Sequence, residues 1–276
     1  MNYKYTRTYI GDVQLVTFDW AGTMVDFGCQ APILAFVEGF RRKGIDITMA
    51  QARGPMGMEK REHIRVVSEM DEVAQSWHKQ YGRPVTSEDI DSMFDDFVPV
   101  LLDILKSHST LIPGVVDAVA ELRQKGIKIA GSTGYFKEAA DIVAGCGAEG
   151  GYIPDAMTNS SEVPAGRPAP WMIYKLMEEL SVYPAAAVVN VGDTPVDIET
   201  GLNAGVWSVG VAATGNETGL TEDELAALSP AQRKAVVAKA RETLTRAGAH
   251  YVMDTMAELP DIIDHINTLL RLGHKP

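Results

Sequence analysis

The sequence predicts a doubly wound parallel α/β sheet, a Rossmann-like core, interrupted by an all-helical insertion. Three observations carry this. Short apolar runs alternate with amphipathic stretches from Pro113 onward, a single buried-type run, Val13–Phe18 (VQLVTF), stands far upstream of them, and no convincing strand occurs between Ala31 and His108. The early run joins the later sheet, so residues 11–30 and 109–276 are expected to form the core and residues 31–108 a helical insert after the first strand.

The elements follow in order. Val13–Phe18 ends abruptly at Asp19, and Ala21, Gly22 and Thr23 supply a turn. In the insert, the apolar spacing predicts helices over Pro32–Lys43, Met58–Met70, Glu72–Tyr81 and Thr86–Lys106. Thr86 with Asp89 has the form of a capping box, and Gly44, Gly57 and the 82–84 segment punctuate the rest. After Gly114 the pattern reads helix Val115–Lys125, strand Ile127–Gly131, helix Phe136–Ala144, a weak strand near Ala156 and helix Pro170–Leu180. It continues with strand Ala187–Val191, helix Val196–Ala204, strand Val206–Val211, a helical stretch Glu222–Ala247, strand His250–Met253 and helix Met256–Leu270.

Composition narrows the function. With 276 residues, 46% apolar and 22% charged, and a mean hydropathy of -0.04, disorder and fibres are excluded. Lys and Arg number 25 against 37 Asp and Glu, a formal charge of -12 that repels nucleic acid and anionic lipid. An anionic small substrate therefore needs local compensation. The two cysteines, Cys29 and Cys146, make no disulfide framework, and Met1–Gly11 lacks the apolar stretch of a secretion signal. No apolar run approaches the ~18 residues of a membrane span. The expectation is a cytoplasmic, unanchored protein.

Ligands of open α/β sheets gather outside the carboxyl ends of the strands, and Asp19, Thr133 and Asp193 fall at such ends. Asp19, in FDWAGT, is a candidate nucleophile. A lone Asp at a strand end is more often a cap, but three further elements shift the balance: Ser132, Thr133 and Gly134; Arg167 in PAGRP; and Gly192, Asp193 and Thr194 with Asp197. In this order they resemble the haloacid dehalogenase superfamily, whose first-strand Asp is a covalent nucleophile, usually toward phosphorus. A phosphoryl group brings negative charge to an already negative carboxylate, so a divalent cation and donors are needed. Asp19, the backbone carbonyl of Ala21 and Asp193 offer the hard oxygen ligands that suit Mg²⁺, with Asp197 in support one helical turn on. Thr133, the N–H of Gly134 and Arg167 are the expected phosphoryl-binding groups.

One position narrows the reaction. Many phosphatases of the superfamily carry an acid two residues after the nucleophile to protonate an alcohol leaving group, and here that residue is Ala21. In the insert, GPMGMEKREH (Gly54–His63) places Lys60 after a Pro-Gly turn, with His63 and Ile64 on the same helical face. A Lys in a charge run is usually solvated; the pairing with Ala21 reverses that preference.

FDWAGT with VDFGC (Val25–Cys29), PMG with Lys60 and His63, STGY (Ser132–Tyr135) and AGRP with PW (Ala165–Trp171) are together similar to the phosphonatase family, over nearly the whole chain. The resemblance implies cleavage of the carbon–phosphorus bond of phosphonoacetaldehyde: Lys60 as imine former, Asp19 as nucleophile, Met56 and His63 near the imine, His63 as a proton shuttle, and Cys29 and Tyr135 lining the cleft. It implies a homodimer paired through helical residues after Ala31. Arg61 or another cation near Lys60 is expected to lower its pKa. A Mg²⁺-dependent phosphatase or phosphomutase acting on a phosphate ester, and a catalytically silent protein of the same fold, are the alternatives.

Overall fold

A computed structural model describes residues 8–276; Met1–Arg7, part of the segment read as lacking a leader, lie outside the described residues. Six parallel strands form one sheet in the order β3-β2-β1-β4-β5-β6, with β1 Leu15–Phe18, β2 Lys128–Thr133, β3 Ala156–Asn159, β4 Val188–Gly192, β5 Trp207–Val211 and β6 Tyr251–Met253. The chain reverses its direction of travel across the sheet between β1 and β4, whose register sets Phe18 beside Val191. A crevice opens at that point, outside the carboxyl ends of the strands. β1 is wholly buried, which is why it reads as a continuous apolar run rather than an alternating one.

The insert is all-helical: α1 Gln30–Arg42, α2 Met49–Arg53, α3 Lys60–Ser68, α4 Asp71–Tyr81 and α5 Ser87–His108. Ile90, Met93, Phe97, Leu101 and Leu105 line the buried face of α5 at spacings of three and four, and Phe97 stacks on Phe36 of α1 with ring centroids 4.5 Å apart. That packing carries the helix through Pro99, which lies on its exposed side. The capping box of Thr86 and Asp89 is present. Two chain segments join insert to core: Asp26, Gly28 and Cys29 turn the first with positive φ, and Val25 bridges Leu111 of the second.

Three sequence expectations need correction. Helix α2 was not anticipated; at five residues it is too short for a periodic signal. The stretch Glu222–Ala247 divides into α10 Glu222–Ala227 and α11 Pro230–Arg246 because Ser229 caps a new helix and Pro230 occupies its first turn. Strand β2 continues through Thr133, so Ser132 and Thr133 belong to the strand rather than to the loop after it. The remaining helices, α6 Val115–Gln124, α7 Lys137–Glu149, α8 Trp171–Glu179, α9 Pro195–Ala204 and α12 Leu259–Arg271, complete the layers flanking the sheet. No helix among the described residues is long and apolar enough to cross a membrane.

Candidate active site

Asp19 leaves β1 with its N–H bonded to Val191 O at 2.9 Å, so the backbone of the neighbouring strand holds it rigidly at the sheet end. Its Oδ1 accepts from Arg167 Nη1 at 2.6 Å. The same guanidinium nitrogen lies 2.6 Å from Asp197 Oδ1, without the alignment of a hydrogen bond, while Nη2 donates to both Ser132 O and Ser132 Oγ at 2.7 Å. Arg167 thus spans β1, β2 and α9. Burial works against its charge, but Asp19 and Asp197 outweigh that, and its pKa is raised.

Asp193 follows β4. Its Oδ1 accepts from Thr23 Oγ1 at 3.0 Å and its Oδ2 from Asn216 N at 2.7 Å. Asp197 accepts from the hydroxyl and N–H of Thr194, a capping box that starts α9. One oxygen from each of Asp19, Asp193 and Asp197 falls within a common 4.8 Å. Burial, then repulsion from Asp19 and Asp197, pushes the Asp193 carboxyl well above the usual range; burial also raises Asp197, against the pull of Arg167. Three buried carboxylates with one arginine between them are short of positive charge, and Asp197 Oδ1 lacks a hydrogen-bond donor. A hard divalent cation fits this donor set.

The insert supplies the opposite chemistry. Lys60 opens α3, whose N-terminus is capped by the Glu59 carboxylate. Its Nζ lies 4.0 Å from Met56 Sδ and over the rings of Tyr135 and Phe36, 4.9 and 5.9 Å from their centroids. It makes no salt bridge among the described residues. Burial lowers its pKa, Cys29 and then Asp19 oppose the shift, and Arg167 adds to it. The expected neighbour Arg61 plays no such part: it faces Asp91 and Ser87 on the outside of the insert. The Cys29 thiol is pushed up by burial, then by Asp193 and Asp26, against the pull of Lys60, and so stays neutral.

Asp19, Ala21, Cys29, Met56, Gly57, Lys60, Thr133, Gly134, Tyr135, Arg167 and Thr194 line one narrow cavity between insert and core. Asp19 and Lys60 are only 7% and 4% exposed, so this is a closed arrangement of insert on core. Glycines permit the closeness: a Cβ on Gly134 would stand 2.7 Å from Met58 O, and one on Gly57 2.5 Å from Thr194 Oγ1. His63 is fully buried but does not line the cavity. Its Nε2 lies 2.9 Å from Ala52 O, which fixes that nitrogen as the donor and leaves Nδ1 bare, and its ring stacks on Phe36. Burial, then Lys60, holds it well below the usual histidine range, hence neutral.

Residues 13–205 match the haloacid dehalogenase-like hydrolases. A phosphonoacetaldehyde hydrolase of Paraburkholderia phytofirmans is 45% identical over 269 residues, 96% of this chain and 99% of that one. One from Bacillus cereus is 44% identical over 254 residues, 92% and 96% of the two chains. The chain belongs to the phosphonoacetaldehyde hydrolase family of haloacid dehalogenase-like hydrolases. A crystal structure of a phosphonoacetaldehyde hydrolase like protein from Oleispira antarctica superposes with a TM-score of 0.97 at 39% identity, covering all of both chains.

For a member of this family, the sequence motifs point to most of the cavity wall and to none of the groups that orient Asp193. Thr23 and Asn216 were not anticipated. Thr23 stands in the FDWAGT motif itself and was available as a hydroxyl donor; Asn216 acts through its backbone N–H, which every residue but proline offers, and no sequence signal marks it.

Proposed function

We propose that the chain hydrolyses the carbon–phosphorus bond of phosphonoacetaldehyde to acetaldehyde and phosphate, through a Lys60 imine and an Asp19 aspartyl phosphate. The observation that carries this reading is one narrow cavity holding a buried lysine without a salt bridge from the insert and a strand-end carboxylate from the core. The Lys60 amine adds to the aldehyde and loses water to form the imine. An Asp19 oxygen attacks phosphorus, the carbon–phosphorus bond breaks, and its electron pair moves into the protonated imine to give an enamine. Protonation at carbon and hydrolysis release acetaldehyde and Lys60, and water cleaves the aspartyl phosphate to phosphate and Asp19. Since no alkoxide leaves, Ala21 in place of an acid is in keeping with the reaction.

Asp19, Asp193 and the Ala21 carbonyl would hold Mg²⁺, with Asp197 in support; the ion supplies charge neutralisation as a phosphoryl oxygen approaches Asp19. Arg167 and Thr133 orient the phosphoryl group, with the Gly134 N–H beside them. Met56, Cys29 and Tyr135 shape an apolar wall that favours the uncharged amine. His63, neutral and one turn along α3 from Lys60, is the candidate proton shuttle, and its bare Nδ1 is the atom that would accept. Incubating the protein with phosphonoacetaldehyde and Mg²⁺ should yield acetaldehyde and phosphate in equal amounts. Release of phosphate from sugar phosphates, with none from the phosphonate, would replace this reading with the phosphate ester one.

Ala21→Asp is expected to lower phosphonate turnover by ~10-fold or more, because it adds negative charge and bulk beside carboxylates already in repulsion. Steady-state kinetics check it, and unchanged kinetics would show that Ala21 has no bearing on the leaving group. A homodimer paired through α1 belongs to the same proposal, supported by the 43% exposure of Leu34 on that helix. Light scattering should give twice the 29.9 kDa chain mass; Leu34→Glu should halve it. The unpaired thiols Cys29 and Cys146 suit a reducing cytoplasm.

A further inference from the structure

Arg53 ends α2 on the insert, outside the cavity lining, yet its guanidinium reaches into the core. Nη1 donates to Gly28 O at 2.8 Å and Nη2 to Gly219 O at 3.0 Å, with Asn216 Oδ1 and Gln30 Oε1 each at 3.3 Å. Asn216 returns a bond from Nδ2 to the Arg53 carbonyl at 3.3 Å. The socket is built for this group. Gly219 has φ +63, and a Cβ there would stand 2.6 Å from Arg53 Nε.

The loop that forms the socket also touches both catalytic strands. Asn216 N donates to Asp193 Oδ2 at 2.7 Å, Thr214 Oγ1 donates to Gly22 O at 3.0 Å beside the nucleophile turn, and Gly28 N donates to Thr214 O at 2.7 Å. On the insert side, Arg53 stands three residues before Met56 and seven before Lys60, and the carbonyls of Gly57 and Met58 press on Gly134. The segment that delivers Lys60 is therefore seated at both ends, by glycine contact at one and by a forked cation at the other.

We infer that Arg53 is a positioning residue, a latch whose seating in the Gly28–Gly219 carbonyl socket holds the insert closed and joins the arrival of Lys60 to the loop that orients Asp193. A planar fork satisfies two carbonyls at once, which a lysine ammonium on a flexible stem does not reproduce. Losing two charge-assisted hydrogen bonds should shift the closed–open balance by ~10-fold or more.

Cys29, 2% exposed and next to Gly28, reports opening, while the half-buried Cys146 on α7 serves as an internal reference. Thiol alkylation of both, followed by mass spectrometry, needs no substrate and does not depend on the proposed reaction; the kinetic half does. In Arg53→Ala the Cys29 rate should rise ~10-fold or more relative to Cys146, with a melting curve close to that of the parent chain. Its kcat for phosphonoacetaldehyde should fall by a similar factor, with KM moving less than about threefold. Arg53→Lys should lie between, and it carries the same two tests if the alanine variant does not fold. An unchanged Cys29 rate overturns the latch, and faster labelling with unchanged kcat overturns the positioning role. If the parent chain itself fails to turn over phosphonoacetaldehyde, the functional reading falls and the labelling still decides the latch.

Discussion

Replacing Lys60 with Met is expected to abolish phosphonate turnover, by ~10⁴-fold or more, and at the same time to raise the melting temperature. The first effect follows from the loss of the amine. The second follows from where the amine sits: Nζ has a thioether at 4.0 Å and two aromatic faces near it, no carboxylate partner, and a neutral thiol at Cys29. Burial holds the folded-state pKa below the ordinary ~10.4 of lysine. Between the lowered value and the unfolded one the unfolded chain binds more protons, so stability rises with pH across that window. At lower pH the full cost of the buried charge weighs on the fold. Methionine fills the space without it, gaining about 1 kcal/mol, or ~2–4 °C. Lys60→Arg keeps the charge and should lose turnover with no such gain. In the parent chain kcat/KM should climb with pH on the acid side, with a midpoint below the usual lysine range. A fully active Lys60→Arg would remove the imine from the mechanism.

The parts of this site that were legible in the sequence are those tied to strand ends. Asp19, Thr133 and Asp193 could be placed because a strand end is a signal in composition and periodicity together. Lys60 was legible only by inference from a second position, Ala21; on its own helix it reads as one of several charges, and the structure shows the others, Arg61 and Arg65, on the solvent side in ion pairs with Asp91, Glu62 and Glu69. Arg53 was not legible at all, because its partners are carbonyls of Gly28 and Gly219, and a backbone acceptor leaves no trace in residue type. The division between α10 and α11 was available in Ser229-Pro230 and was overridden by the helical character of both flanks. Helix α2 had its own signal, a capping box of Thr48 and Gln51, but five residues give the apolar period nothing to repeat over.

Asp19→Asn separates the two halves of the reaction. The amide keeps the shape of the carboxylate but is a poor nucleophile and a weaker ligand for a hard cation. Arg167 retains Ser132 and the Asp197 carboxylate beside it, so the guanidinium keeps its anchoring and the fold should hold. Removing one of three crowded negative charges should also let the Asp193 pKa fall. Formation of the imine needs only Lys60 and the aldehyde, so borohydride added with phosphonoacetaldehyde should still label Lys60 irreversibly in Asp19→Asn, while acetaldehyde and phosphate release drops by ~10⁴-fold or more. Exhaustive chelation of the parent chain should give the same pattern: trapping retained, turnover lost. A label found by mass spectrometry on another lysine would remove Lys60 as the electron sink. Turnover by Asp19→Asn at the parent rate would remove the nucleophile, and the closed cavity would then need another group able to accept phosphorus; among the described residues, the ionisable side chains lining it besides Asp19 are Cys29, Lys60, Tyr135 and Arg167, of which the Cys29 thiol and the Tyr135 phenol are held neutral by burial.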